Sequence, residues 1–243
     1  MKASSVAFSS SERRSRNVCI LKVGGEVATD YGKDLVNAVN TLKEMDLWHV
    51  IVHGAGPQLN KKLEEADVEV DYVDGMRVTD PITLGIARRV FLETNDTIVD
   101  DLYQGNATKN GGFPRPVTSG IFLADLLDEE TWGLVGDVTS VHTESILSAI
   151  EADCVPVITC MGETSSGQIL NINADVAAVK LAAAMSPQVS KLVFVSSAGG
   201  LKNETGEIIS EIDLDCKAKT DKVRAGFYVK RPRGISSRSR TIA

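Results

Sequence analysis

Four short clusters in this sequence set charged or amide side chains next to residues that have little side chain of their own. In Lys22-Val23-Gly24-Gly25 an ammonium stands beside two glycines. That pairing can put a point charge next to a transferring phosphoryl group while glycine amides approach its oxygens unobstructed. In His53-Gly54-Ala55-Gly56-Pro57 a small-residue turn aims its amides along a helix start, which favours an anion. Two such turns facing each other could cradle a carboxylate and a phosphate. The plainer alternatives are a surface lysine and two tight turns. His53 itself reads as structural rather than as a general base, because an imidazole at a strand end commonly satisfies backbone groups.

The third cluster, Asp74-Gly75-Met76-Arg77-Val78-Thr79-Asp80, offers a guanidinium, the group suited to bidentate recognition of a substrate carboxylate. Its alternative is an arginine paired with Asp74 or Asp80. The fourth, Asn171-Ile172-Asn173-Ala174-Asp175, places an amide and a carboxylate where a strand enters an alanine-rich helix. There they can hold a substrate amide and orient a lysine or hydrated magnesium, or merely cap the helix. The chain contains no G-x-x-x-x-G-K-[ST] loop and no G-x-G-x-x-G turn followed by a helix and a ribose-binding acid.

Positioning these clusters requires strands that end at the glycine turns. Val18 to Val23 reads as a buried strand, Gly24-Gly25 as a turn, and Tyr31 to Met45 as a helix with Leu35, Val36, Val39 and Leu42 on one face. The pattern repeats with a strand at Val50 to His53, the second turn, and a helix opening at Pro57. A long helix is expected from Pro81 to about Lys109, then a looser Gly/Pro-rich part from Gly111 to Pro116. Alternation resumes with strands at Val135 to Val141, Val155 to Cys160 and Leu192 to Ser196, and helices at Thr143 to Ala152 and Ala174 to Met185. The pattern is that of an α/β protein with a mainly parallel, helix-covered central sheet, whose ligands sit at the carboxyl ends of the strands.

Composition narrows the partners. With 243 residues, 43% hydrophobic and 24% charged, the chain can bury a sizeable core. No stretch approaches the roughly 18 apolar residues of a membrane span, so a soluble protein is expected. The net charge of −7 is uneven: residues 1–17 carry +3 and residues 217–243 carry +8, leaving −18 on residues 18–216. An acidic body does not suit a polyanion, and the basic ends lack interleaved aromatics, which argues against nucleic acid. Cys19, Cys154, Cys160 and Cys216 form no C-x-x-C pair and read as free thiols in a reducing compartment, with neither a disulfide framework nor a zinc site.

Together the motifs Leu-Lys-Val-Gly-Gly (21–25), His-Gly-Ala-Gly-Pro-Gln-Leu-Asn (53–60), Gly-Met-Arg-Val-Thr-Asp (75–80) and Leu-Asn-Ile-Asn-Ala-Asp-Val-Ala-Ala (170–178) resemble the amino-acid kinase family. Within it they resemble the N-acetylglutamate kinases, particularly the form in fungal mitochondrial arginine-pathway precursors. The resemblance covers residues 18–215. It implies a three-layer α/β/α, carbamate-kinase-like fold and transfer of the ATP γ-phosphoryl group, with Mg2+, to the side-chain carboxylate of N-acetyl-L-glutamate. Positioning and charge neutralisation carry most of such a transfer. By the same resemblance Lys22 stabilises charge on the transferring group, and Gly24, Gly25 and Gly54 line the phosphate side. Ala55 and Gly56 hold the substrate end, Arg77 its α-carboxylate and Asn171 its acetamido region. Asp175 orients the lysine rather than acting as a base, because a carboxylate nucleophile has no proton to remove. No residue is assigned to a metal. A homo-oligomer and association with N-acetylglutamate synthase are also implied; an aspartate kinase or a binding module without turnover are the alternatives.

Departures from the family pattern are Ala55 in place of the middle glycine of a triple-glycine turn, and Glu26 after the double glycine, whose charge would oppose a phosphate unless it points away. Past Cys216 the resemblance gives way to a basic segment, residues 216–243, without apolar periodicity. The second phosphate-contacting lysine and closing elements of the nucleotide lobe are not recognisable there, so that lobe is expected to be incomplete. Residues 1–17, with six serines, four basic residues and one acid, have the composition of a mitochondrial targeting segment or a disordered tail; a cytoplasmic location is the alternative.

Overall fold

The structure, a computed structural model, describes residues 17–45, 47–106, 112–197, 200, 203 and 205–209. The expected tails at 1–17 and 216–243 and the thiol of Cys216 therefore lie outside the described residues, apart from Asn17. In chain order the elements are β1 (Val18–Val23), α1 (Gly25–Asp30), α2 (Gly32–Glu44), β2 (Trp48–His53), α3 (Gly56–Glu65), β3 (Tyr72–Val73), β4 (Met76–Arg77), α4 (Pro81–Asn106) and β5 (Phe113–Val117). They continue with β6 (Phe122–Leu126), α5 (Glu129–Trp132), β7 (Gly136–Val141), α6 (Glu144–Glu151), β8 (Cys154–Thr159), β9 (Met161–Glu163), β10 (Ile169–Asn171), α7 (Ala174–Ala184) and β11 (Val189–Val195).

The central sheet has the strand order β11-β1-β2-β8-β5, and every pairing in it is parallel. Its strands are apolar on both faces, as a doubly covered parallel sheet requires. On β1, Val18 and Ile20 join one core with α3, α6 and α7, contributed by Leu59, Leu63, Ile146, Ile150, Ala177, Ala178 and Leu181. The alternate residues Cys19, Leu21 and Val23 join a second core with Val27 and Ala28 of α1 and Leu35, Val36 and Val39 of α2. Helix α4 serves both: Ala87, Val90 and Phe91 from its first half enter the former, Ile98 and Leu102 from its second the latter. The result is the mainly parallel three-layer α/β/α architecture expected from the sequence. No helix among the described residues is long and apolar enough to cross a membrane.

Some elements differ from the sequence expectation. The segment 111–116, read as irregular because of its prolines, overlaps strand β5; Pro114 and Pro116 are tolerated because, among the described residues, β5 pairs with β8 alone and forms a sheet edge. A second sheet, β10-β9-β6-β7, was not anticipated, since β9 and β10 have three residues each and show no periodicity. Gly24-Gly25 does not form a simple turn: a six-residue helix, α1, begins at Gly25. Helix α4 is described as far as Asn106, and its expected end at Lys109 lies outside the described residues.

Candidate active site

Residues Lys22, Gly24, Gly25, Gly54, Ala55, Gly56, Arg77, Asn171 and Asp175, all singled out by type and spacing, border one cavity of about 320 Å³. It lies at the carboxyl ends of β1 and β2, closed on one side by the β3–β4 hairpin and on another by the start of α7.

Lys22 follows Val18 and Ile20 on the face of the pleat that α7 covers. Its Nζ lies 2.9 Å from Asp175 Oδ1, with the lysine side chain 16% exposed and the aspartate 49%. Asp175 can make this pair because Asn173 performs the capping: its Oδ1 accepts from the amides of Asp175 (2.9 Å) and Val176 (3.2 Å). The carboxylate in the first turn is also favoured by the helix dipole.

The two glycine turns are packed against each other. A Cβ on Gly25 would come within 2.5 Å of Gln58 Oε1 and 3.0 Å of Ala55 Cα, and Gln58 Nε2 donates to the Gly25 carbonyl at 2.6 Å. Glycine at position 25 is therefore required by close approach. The amide role expected of Gly24 and Gly54 needs correction: Gly24 N donates to Val195 O (3.0 Å) and Gly54 N to Val23 O (2.9 Å), so both are already committed to the strand ends. These two glycines contribute open wall instead. Glu26 points away from the cavity; it is exposed, and its Oε2 accepts from Ser197 Oγ at 2.6 Å.

Arg77 on β4 is only 8% exposed. Its Nη2 donates to Asn60 Oδ1 and, at 2.6 Å, to Tyr72 Oη, and the guanidinium lies 4.8 Å from the centre of the Tyr72 ring. The alternative pairing with Asp74 or Asp80 is not found. Asp80 instead accepts from the Thr83 amide at 2.6 Å at the start of α4, which holds its carboxyl below the usual range. Among the described residues Arg77 has no carboxylate partner, and its Nη1 is buried without a hydrogen-bond acceptor. Burial accordingly lowers its pKa, against smaller opposing contributions from Tyr72.

Asn171 is held by a relay that the sequence did not disclose. Its Nδ2 donates to Thr79 Oγ1 at 3.1 Å, and Thr79 Oγ1 donates to the Arg77 carbonyl at 3.1 Å. Thr79 is fixed by the neighbouring loop, where Gly133 (φ 66°) comes so close that a Cβ there would lie 2.4 Å from Thr79 O. Beneath the second turn His53 is fully buried and takes the structural part expected of it. Asn95 Nδ2 bonds its Nε2 at 3.1 Å and the Val157 carbonyl at 2.9 Å, and burial pushes the imidazole down to about 4. Cys160, under Lys22 and Asp175, donates to the His53 carbonyl at 3.1 Å, and its burial pushes the thiol up to about 12. Cys19 and Cys160 are buried and Cys154 is partly so; all three are free thiols.

The cavity at the carboxyl ends of β1 and β2 thus holds, among the described residues, one cation paired with a carboxylate and one without. Residues 17–235 match the model of the amino acid kinase family. The chain belongs to this family. It is 47% identical over 201 residues to protein arg-6, mitochondrial, of Neurospora crassa, an alignment covering 83% of this chain and 22% of that protein. It is 33% identical over 195 residues to an acetylglutamate kinase of Bacillus pumilus, covering 79% of this chain and 73% of that one. Among solved structures, smu.665 from Streptococcus mutans UA159 superposes with a TM-score of 0.71 at 27% identity, covering 77% of this chain and 76% of that chain. The chain thus spans about a fifth of the mitochondrial relative's length, 22%.

Proposed function

We propose that this chain carries the acid-substrate part, and the beginning of the nucleotide part, of an acetylglutamate kinase. The reaction is transfer of the γ-phosphoryl group of ATP to the side-chain carboxylate of N-acetyl-L-glutamate, a step of arginine biosynthesis, giving an acyl phosphate and ADP. The kinase domain is 18–215, flanked by 1–17 and 216–243; the names of the mitochondrial relatives favour that compartment for this chain. The observation that carries the reading is the buried Arg77 cation without a counter-charge, sharing one cavity with the Lys22–Asp175 pair. A substrate carboxylate would complete the charge of Arg77 and place the acid's other end toward Lys22.

Each side chain then has one task. Arg77 binds the α-carboxylate, Asn171 offers its amide to the acetamido group, and Ala55 and Gly56, at the amino end of α3, hold the reacting end. Lys22 stabilises negative charge that spreads over the transferring phosphoryl oxygens, and Asp175 keeps its ammonium in place. The attacking carboxylate carries no proton, so no base is required. Magnesium would arrive on the nucleotide phosphates. Assembly as a homo-oligomer and with N-acetylglutamate synthase belongs to the same proposal.

A hydroxylamine trap for acyl phosphate, supplied with MgATP and N-acetylglutamate, glutamate or aspartate, tests it. Hydroxamate from N-acetylglutamate alone is expected, and hydroxamate from aspartate would make the chain an aspartate kinase instead. One observation favours a second reading, acid binding without turnover: Lys22 is the single lysine bordering the cavity among the described residues. Calorimetric binding of N-acetylglutamate with no hydroxamate would select it.

A further inference from the structure

We propose that Asn60 is a positioning residue for acid recognition: with Tyr72 it holds the Arg77 guanidinium through neutral oxygens, fixing its orientation while leaving its charge for the substrate. The inference rests on the assignment of Arg77 to the substrate carboxylate. Three elements meet at this point, Asn60 from α3, Tyr72 from β3 and Arg77 from β4. Their polar atoms close a ring: Arg77 Nη2 donates to Asn60 Oδ1 and to Tyr72 Oη (2.6 Å), and Tyr72 Oη donates to Asn60 Oδ1 (3.0 Å). A guanidinium nitrogen Nη2 carries two hydrogens, and both are used. The Tyr72 ring, 4.8 Å from the guanidinium carbon, fixes the remaining rotation.

The choice of partners matters as much as their geometry. An aspartate or glutamate in the place of Asn60 would orient Arg77 equally well but would also neutralise it, and a neutralised cation has little left for an arriving anion. Amide and phenol oxygens orient without neutralising. Nη2 is held by its two acceptors, while Nη1 is buried and has no acceptor of its own. The substrate is thus presented with a cation that cannot swing. Asn60 lies on an exposed face of α3, so replacing it leaves the cores untouched.

The test compares the full chain with Asn60→Ala and with Asn60→Asp, which has the same shape and an added charge. Three quantities are read: N-acetylglutamate affinity by calorimetry with the KM and kcat of the trap assay, the ligand-free melting temperature, and the rate at which phenylglyoxal modifies Arg77, followed by mass spectrometry. For Asn60→Ala the expected result is affinity weakened about tenfold and KM raised alike, with kcat within about threefold, and faster modification of Arg77. For Asn60→Asp the expected loss of affinity is larger, about thirtyfold or more, although the protein melts higher and Arg77 is modified more slowly, because the buried cation has gained a counter-charge. A merely structural Asn60 would lose stability and affinity together. Asn60→Asp binding as tightly as the parent would overturn the proposal. Should the parent itself not bind N-acetylglutamate, the functional assignment fails separately; the ligand-free melts and modification rates still decide, and equal values in all three proteins would sink the clamp.

Discussion

The two sides of the cavity hold their cations in opposite ways. On the phosphate side Lys22 is paired with a carboxylate, Asp175, at 2.9 Å and is partly exposed. On the acid side Arg77 is buried among neutral partners, with one nitrogen left without an acceptor. A paired ammonium contributes little to ground-state binding, since its charge is already balanced, but it is held ready for charge that develops during transfer. An unpaired buried guanidinium carries a desolvation cost that only an anion relieves, so its contribution comes when the substrate binds. If the proposed function holds, the contrast makes Lys22 matter chiefly for the rate and Arg77 chiefly for affinity.

The largest effect follows from Lys22→Met. Removing a charge that acts in the transition state should reduce kcat by about a hundredfold to a thousandfold, while N-acetylglutamate affinity changes by less than about threefold. Steady-state hydroxamate assays beside calorimetry separate the two numbers. A loss of acid affinity as large as the loss of kcat would erase the division between the two sides.

Arg77→Met should show the reverse pattern. Affinity for N-acetylglutamate should fall roughly tenfold to a hundredfold, and saturating acid should restore most of kcat. The variant should also melt no lower than the parent, because the methionine removes a buried charge without a counter-ion. Calorimetry and thermal melts on one preparation give both readings; a strongly destabilised protein would mean that Arg77 is structural.

What the sequence disclosed about this contrast was its cations and not their partners. Lys22 and Arg77 each stand two residues from a glycine, a local pattern, and the period of the flanking apolar residues placed Lys22 near the end of a strand in a parallel sheet, whereas Arg77 lies in the antiparallel β3–β4 hairpin. The partners are non-local. Asn60 reaches Arg77 across 17 residues, Gln58 reaches Gly25 across 33, and Asn171 reaches Thr79 across 92. No spacing rule connects such pairs before the chain is folded. Asn173 could have been preferred to Asp175 as the cap from its place just ahead of the alanine-rich run. Strands β9 and β10 escaped because three residues cannot display a period, and β5 because proline argues against a strand until its edge position is known.

The smallest expected effect concerns the floor that both sides share. His53 ends β2 directly before the second glycine turn, its carbonyl accepts from Cys160, and its ring packs 6.4 Å from that of Phe91, which borders the cavity. Burial holds its pKa at about 4 in the folded chain, against 6.5 when exposed. With the folded value depressed, the unfolded chain takes up a proton first as the pH falls. The associated stability is complete above pH 6.5 and drains away down to about pH 4, with roughly 1 kcal/mol lost by pH 5.5. His49, also lowered chiefly by burial, adds a loss of the same sign. Denaturant unfolding at pH 7.5 and 5.5, for the parent and for His53→Gln, isolates the first contribution: the variant starts less stable but should lose roughly 1 kcal/mol less on acidification. If the floor is shared, Lys22 and Arg77 lose their setting together, so acid affinity and kcat should fall in step with the folded fraction. A site that lost one before the other at pH 5.5 would show that the two sides stand on separate supports.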